Sequence, residues 1–434
     1  MTSTSTCYNV FTRSLARILI GRNRVNYVEI KKFNKYKIKW NIESETVIKP
    51  GLETIQSALK KLGDPQDKHK VIHVAGTNGK GSTIAFLTAL AKEHGLSYAS
   101  FTSPSIVDVH DQIQINSVNV TEKQMDEAFS HMHDRGISGM LTDFELLTVT
   151  AFVVFEAMVL DIVFIEAGMG GRLDSTNVMK NSVAVIPSIS IDHTNFLGDT
   201  IEKISWHKAG ILKNNSQLVI GSLSDSAKTI VYKEVEDKKA TVVEYNINFH
   251  MKNEQYSYKE YSFSNLNPQM IGKHQQSNMA LAITALIESG FELDESSVQT
   301  AVTKARLPGR MEKIKEHLYM DGAHNRASID ALVETVQEKF PHKKIHIILG
   351  ILRDKDYVYI LRKLEEIAST FEFVNFQHQR ALNANMLYKH CMHSAKSVTL
   401  DASMLNLEKK SEDSITIVTG SFYFIAELRE KTGF

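Results

Sequence analysis

Cysteine is almost missing from this sequence. Cys7 and Cys391 are the only two among 434 residues and lie far apart in the chain. That excludes a disulfide framework and a cysteine-built zinc site, and it fits a reducing compartment. Excess charge of either sign is missing too: 50 Lys and Arg balance 50 Asp and Glu. A chain built to coat nucleic acid or an anionic membrane would not be neutral, although a local basic pocket for a small anion stays open. No run approaches the ~18 consecutive apolar residues that would span a bilayer, and there is no internal repeat or low-complexity tract. What is present is core material. With 43% apolar and 23% charged residues, wholesale disorder is excluded. At roughly 100–200 residues per domain, the length implies two or three domains.

Acidic residues are absent before Glu29, while Arg13, Arg17, Arg22 and Arg24 occur there among several Ser and Thr. That composition suits an organellar presequence, which would make the destination mitochondrial; a start that does not fold, in a cytoplasmic protein, is the other reading. Residues 29–41 hold Lys31, Lys32, Lys35, Lys37 and Lys39 and are expected to form a solvated face or tail.

From Lys70 onward, short β-branched runs alternate with helical patterns, the signature of an α/β chain with a largely parallel sheet. Strands are expected at Val71–Ala75, Ser97–Phe101, Asp161–Glu166 and Val183–Ser190, and helices from Ser82 to His94 and from Thr142 to about Leu160. Thr142 and Glu145 have the spacing of a capping box. Residues 246–265 are polar and Tyr-rich and read as an antiparallel hairpin or insertion; a helix from about Ser277 to Ser289 follows. Leu307-Pro308-Gly309-Arg310 breaks the pattern and reads as a hinge. Beyond it the alternation restarts: strands at Leu318–Asp321, Ile345–Leu349, 371–376 and Ile415–Thr419, helices at 327–339 and 356–369. That is a second, smaller open α/β unit.

Gly76-Thr77-Asn78-Gly79-Lys80-Gly81-Ser82 falls between a strand and a helix. Such a turn wraps N–H groups around a phosphate at a helix N-terminus, and Lys80 adds a full charge for the β- and γ-phosphates. The generic phosphate-loop pattern fails here, because Gly81 follows the Gly-Lys pair where Ser or Thr is expected, and a tight turn would look similar. Glu166 ends an apolar strand ahead of Gly168, Gly170, Gly171 and Arg172; an acid at that place beside a phosphate loop can hold magnesium. Asp192-His193 takes the same position one strand later, although a lone His is more often structural. Lys208 would be an ordinary surface lysine unless it reacts with carbon dioxide to give an anionic carbamate. His274-Gln275-x-x-Asn278, Leu307–Arg310 and Asp321-Gly322-Ala323-His324-Asn325 each have an ordinary account as a cap, a linker and a turn.

Taken in order, GTNGKGS (76–82), TSPS (102–105), EAGMGGRLDSTN (166–177), SIDHTNFLG (190–198), HKAGI (207–211), HQQSN (274–278), LPGRM (307–311) and DGAHN (321–325) resemble the folylpolyglutamate synthase/dihydrofolate synthase family of Mur-ligase-like amide ligases. GILRDKD (350–356) and VTGSFYF (418–424) extend the match, which runs from about Val47 to the C-terminus. The resemblance implies a large ATP-binding domain with a mostly parallel sheet over 47–307 and a smaller Rossmann-like C-terminal glutamate-ligase domain over 308–434. Residues 1–46 match poorly. It also implies a set of roles. Gly79, Lys80, Gly81 and Ser82 would hold the triphosphate. Ser103 and Glu166 would ligate one magnesium, and Glu166, His193 and carbamylated Lys208 a second. Asn278, Arg310 and Asp321 would contact ATP. Ile48, Lys49, Pro50 and Gly51, together with Thr142, Asp143 and Phe144 and with Arg172 and Leu173, would hold the pterin or folate. His324 and Ser421 would help bind glutamate.

The implied reaction activates a folate or dihydropteroate carboxylate as an acyl phosphate with ATP, after which the amine of L-glutamate attacks. Small molecules alone are expected as partners, and a monomer is the default. Another Mur-type ligase would usually need an extra N-terminal domain, for which fewer than 50 residues leave no room, and a non-catalytic nucleotide module could have lost Lys80, Glu166, His193 and Lys208. Arg326 stands where the family commonly has Pro, which puts the local turn in question.

Overall fold

The computed structural model describes Ile30, residues 32–45, 51–408 and 411–433. The presequence-like stretch and three of the expected acceptor residues, Ile48, Lys49 and Pro50, lie outside these. Among the described residues no helix is long and apolar enough to cross a membrane.

Eight strands form the first sheet: β1 (Val71–Val74), β2 (Tyr98–Phe101), β3 (Ile113–Ile115), β4 (Val118–Asn119), β5 (Ile162–Glu166), β6 (Val183–Ile186), β7 (Gln217–Ile220) and β8 (Thr241–Glu244). Their order is β4-β3-β2-β5-β1-β6-β7-β8. All pairings from β2 to β8 are parallel, and β3 and β4 add an antiparallel edge. The central strands β1, β5 and β6 are almost wholly apolar because both their faces are covered. On β5, Ile162 and Phe164 face one core, shared with the helices Lys80–Glu93 and Lys273–Glu288. Val163 and Ile165 face the other, shared with the helix Asp143–Glu156. That helix is capped reciprocally by Thr142 and Glu145, as their spacing predicts.

The Tyr-rich stretch folds into an antiparallel meander, β9 (His250–Lys252), β10 (Gln255–Tyr258) and β11 (Tyr261–Phe263), that closes the first core with Tyr256 and Phe263. The second sheet comprises β12 (Glu312–Lys315), β13 (Leu318–Asp321), β14 (Lys344–Leu349), β15 (Ala368–Val374), β16 (Lys396–Thr399) and β17 (Ser414–Thr419). Its order is β12-β13-β17-β14-β15-β16, parallel except for β12.

Some expectations shift. β6 stops at Ile186 because Pro187 cannot continue the ladder. The expected helix 356–369 ends at Glu365, since the chain from Ala368 pairs with β14 as β15 and buries Phe371 and Phe373. The lysine-dense segment is not a tail. Phe33–Lys39 is a helix whose Phe33 and Tyr36, one turn apart, are buried against Phe129. Arg326 occupies the first position of the helix Arg326–Lys339, which Asn325 caps. No intrahelical N–H bond is needed there, so Pro and Arg are both tolerated, and Arg326 pairs instead with Asp356 at 2.5 Å.

Candidate active site

Ligands of open α/β sheets bind outside the carboxyl ends of the strands, where the strand order reverses. Here β1 and β6 are neighbours, while the chain from β1 to β2 runs the other way past β5. The expected site residues follow the ends of these four strands. The phosphate loop follows β1, Ser103 follows β2, Glu166 ends β5, and Asp192 and His193 follow β6. In the second sheet, Asp321 ends β13, His324 follows it, Lys355 follows β14 and Ser421 follows β17. The carboxyl edges of the two sheets meet across one cavity of about 1710 Å³, lined from both.

The phosphate loop is shaped by close contacts. Gly79 has φ +89°, and a Cβ there would lie 2.5 Å from Asn278 Oδ1. Only glycine fits. Thr77 N–H donates to the Ser188 carbonyl and Asn78 N–H to Ser188 Oγ. Lys80 begins the helix Lys80–Glu93; its Nζ turns back to the Gly76 carbonyl at 3.2 Å and stands 3.9 Å from Glu166. Gly79, Lys80 and Gly81 line the cavity, whereas Ser82 is buried beneath them and Asn278 supports the loop from the side, with Nδ2 bonded to Gln275.

Glu166 is only 6% exposed, yet its contacts are long: Ser103 N–H at 3.4 Å and Lys80 Nζ at 3.9 Å. Burial raises its pKa, with Lys80 opposing. A buried, poorly satisfied carboxylate facing a cavity suits a hard divalent ion. Among the described residues no three His, Cys, Asp or Glu form a cage. Magnesium uses one or two carboxylates and fills its shell with water and phosphate oxygens, so Glu166 is the carboxylate that would serve it here. Ser103 lines the same wall.

His193 also lines the wall, and the surrounding protein pushes its imidazole down to about 4, with Asp192 opposing and Lys355, Lys80 and Lys208 adding to the effect. A neutral ring is the form that can ligate a metal. Lys208 is 3% exposed, behind the wall. Burial, and then Lys80, push its amine down to about 7. The neutral amine, the state that reacts with carbon dioxide, is thereby favoured far more than in an exposed lysine. A buried carboxylate, a neutral imidazole and an amine open to carbamylation are donor types that suit a hard divalent ion.

Arg310 reaches the cavity with its guanidinium 4.3 Å over the Phe422 ring, which also packs on Gly309 and Gly322. Asp321 lies behind it, holding Met311 N–H and Ala323 N–H at 2.8 and 2.9 Å. Of the expected acceptor residues, Gly51, Thr142, Asp143, Phe144 and Leu173 line a wing of the same cavity, as do His324 and Ser421 from the second lobe. Arg172 does not. Its guanidinium stacks on Trp206 at 4.1 Å and bonds Glu234 at 2.6 Å, so its charge is satisfied away from the cavity. Asp174 and Ser175, two and three residues later, are on the wall instead.

Several features of the wall carry little or no local sequence signal. Asp174 sits in the quoted EAGMGGRLDSTN stretch but looks like a turn residue, and it does accept from the Thr176 N–H. Ile30 and Lys32 reach the cavity from the poorly matched N-terminal segment. Asp192 and Lys355 form an ion pair at 2.8 Å across 163 residues, which no local pattern can announce.

A phosphate loop and an acid at adjoining strand ends, faced by a second α/β lobe, define an ATP-dependent ligase of the Mur type. Residues 74–286 match the Mur ligase middle domain and residues 309–422 the Mur ligase glutamate ligase domain. A Bacillus subtilis (strain 168) dihydrofolate synthase/folylpolyglutamate synthase is 34% identical over 88% of this chain and 95% of its own. Two solved structures superpose with TM-scores of 0.84. Escherichia coli FolC in complex with DHPP and ADP is 25% identical, covering 92% of this chain and 96% of its own. The bifunctional Yersinia pestis enzyme with AMPPNP and Mn ion is 26% identical, covering 92% and 98%. The chain belongs to the dihydrofolate synthase/folylpolyglutamate synthase family.

Proposed function

We propose that this protein uses ATP to join L-glutamate to the carboxylate of a dihydropteroate or folate, releasing ADP and phosphate. A carboxylate is a poor acylating agent, because its leaving group would be oxide. Phosphorylation by ATP gives an acyl phosphate, which the neutral α-amine of glutamate attacks to form the amide. Phosphoryl donor and carboxylate are both anionic. At ~4 Å two like charges repel by about 4 kcal/mol at an effective dielectric near 20, roughly a thousandfold in rate. Lys80 offsets that repulsion, with the helix N-terminus behind it.

Glu166 with Ser103, and Glu166 with His193 and a carbamate on Lys208, would hold divalent ions, which supply further charge neutralisation at the phosphates. The carbamate forms as the Lys208 amine adds to carbon dioxide and loses a proton. Gly79, Gly81 and Ser82 complete the triphosphate turn, with Asn278, Arg310 and Asp321 directed to the rest of ATP. Thr142–Phe144, Gly51 and Leu173, extended by Asp174 and Ser175, take the acceptor, while His324 and Ser421 take glutamate. The two domains, 47–307 and 308–434, close about Leu307–Arg310 and exclude water from the acyl phosphate. Both lobes of the cavity come from one chain, so one copy carries the whole proposed site and a monomer would suffice.

The observation that carries this reading is the meeting of two sheets' carboxyl edges across one cavity, with Lys80 and Glu166 on one side and His324 and Ser421 on the other. Both acceptors are expected to serve. With ATP, magnesium and L-glutamate, phosphate should appear only on adding dihydropteroate or tetrahydrofolate. Turnover of tetrahydrofolate alone would restrict the activity to tail extension, and phosphate release indifferent to either would refute the assignment.

A further inference from the structure

Five polar side chains tie the lobes together beside the phosphate loop, and the reaction scheme leaves four of them without a role. Asp192, after β6, has a side chain 10% exposed. Lys355 of the second lobe, 11% exposed, places Nζ 2.8 Å from its Oδ1. Asn325 donates from Nδ2 to Asp192 Oδ2 at 2.9 Å. Asn325 and Asn78 also exchange amide hydrogen bonds at 3.1 and 3.2 Å, and Asn78 belongs to the phosphate loop itself. His324 Nε2 stands 3.8 Å from Asp192 Oδ2. These bonds bridge 133 to 247 residues of sequence and all cross from one lobe to the other.

We propose that Asp192 anchors an interlobe latch, made with Asn325, Lys355 and Asn78, that holds the lobes closed in register and so couples ATP consumption to amide formation. Asp192 is a positioning residue in this account. A nearly buried ion pair is close to balanced against the hydration each partner regains on separation, so the latch gives register without locking the lobes shut. Its geometry is directional. The Asn78–Asn325 pair sets the phosphate loop against the capped start of the helix Arg326–Lys339, and Lys355 sets the β14 loop against the β6 loop. Misalignment of either edge would admit water. Water attacking the acyl phosphate regenerates the carboxylate and releases phosphate, so ATP is consumed and no amide forms.

This inference rests on the ligase reading, and its test separates the two. Asn325→Asp carries it, because Asp caps a helix as well as Asn but sets a carboxylate against Asp192 where an N–H₂ donor stood. Asp192 adjoins His193, so its own substitution is used only in the exchange Asp192→Asn with Asn325→Asp, which restores a donor–acceptor pair. Phosphate and amide are measured on the same samples, and small-angle scattering gives the size of each protein with and without AMPPNP. The unaltered chain should release phosphate and amide in equal amounts. Asn325→Asp should release severalfold more phosphate than amide and scatter as a larger particle, and the exchange should bring both back toward the unaltered values. Equal amounts from Asn325→Asp with unchanged scattering would overturn the latch, as would loss of amide without excess phosphate or expansion. If the unaltered chain made no amide, the ligase reading would fail, while the scattering would still report on the latch.

Discussion

Lys208 is buried at a cost in stability that its proposed role would explain. Its amine is 3% exposed, and burial holds it near 7, against an ordinary 10.5. Each unit of such a shift is worth about 1.4 kcal/mol. At pH 7 and below, the unfolded chain keeps the proton that the fold disfavours, so the penalty is fully present. It fades as pH rises from about 7 toward 10.5, where the unfolded amine also becomes neutral. Lys208→Met, similar in length and uncharged, should therefore raise the unfolding midpoint of the unliganded protein by several degrees at pH 7 in carbonate-free buffer. The gain should shrink toward pH 10, and ligation should fall to background. Scanning calorimetry across pH checks this; equal midpoints at pH 7 would contradict it. Lys80 and Glu166 were legible in the sequence because each stands beside glycines at a strand end, a local pattern. Asp174 is masked by a genuine turn role, and Arg172 turns from the cavity because Glu234, 62 residues away, takes its charge.

Among the elements, the helix Phe33–Lys39 was the least legible. Five lysines between residues 31 and 39 mask a stripe of only two buried positions, Phe33 and Tyr36. Their partners are remote: Phe129 by an edge-on ring contact with Phe33, His110 by a 2.6 Å bond from Tyr36, and Asp143 by a 2.6 Å bond from Lys37. The helix thus leans on the acceptor wing, where Asp143 and Lys32 line the cavity. Truncating a buried Phe costs about 3–5 kcal/mol, more than a seven-residue helix retains alone. Phe33→Ala should undock it, raising KM for the pteroyl acceptor while leaving nucleotide affinity unchanged, with faster proteolysis near residue 40. Acceptor KM and nucleotide binding, measured together, decide the matter; a parallel loss of both would contradict the assignment. The strands were read more faithfully. β13 falls where expected, and β1 and β5 within a residue, since buried parallel strands are short continuous apolar runs whatever lies around them. Helix and strand ends governed by tertiary pairing, such as the start of β15, were not.

At the scale of the whole molecule, the alternation of strands and helices on either side of Leu307–Arg310 already implied two α/β lobes, and the structure sets one sheet on each side of that segment. What sequence could not convey is how the lobes meet, because every bond between Asp192, Asn78, Asn325 and Lys355 spans more than 100 residues. The meeting matters because the cavity is shared: Lys80 and Glu166 line it from one lobe, and His324 and Ser421 from the other, so the proposed chemistry would be divided between them. That division has a purpose only if an activated acid must wait, shielded from water, for an amine. Isotope transfer tests this most directly. With an acceptor carrying oxygen-18 in the reacting carboxylate, and with ATP, magnesium and L-glutamate, the released phosphate should contain one labelled oxygen for each amide formed. Unlabelled phosphate accompanying amide would show that the carboxylate is never phosphorylated, and the account would be wrong.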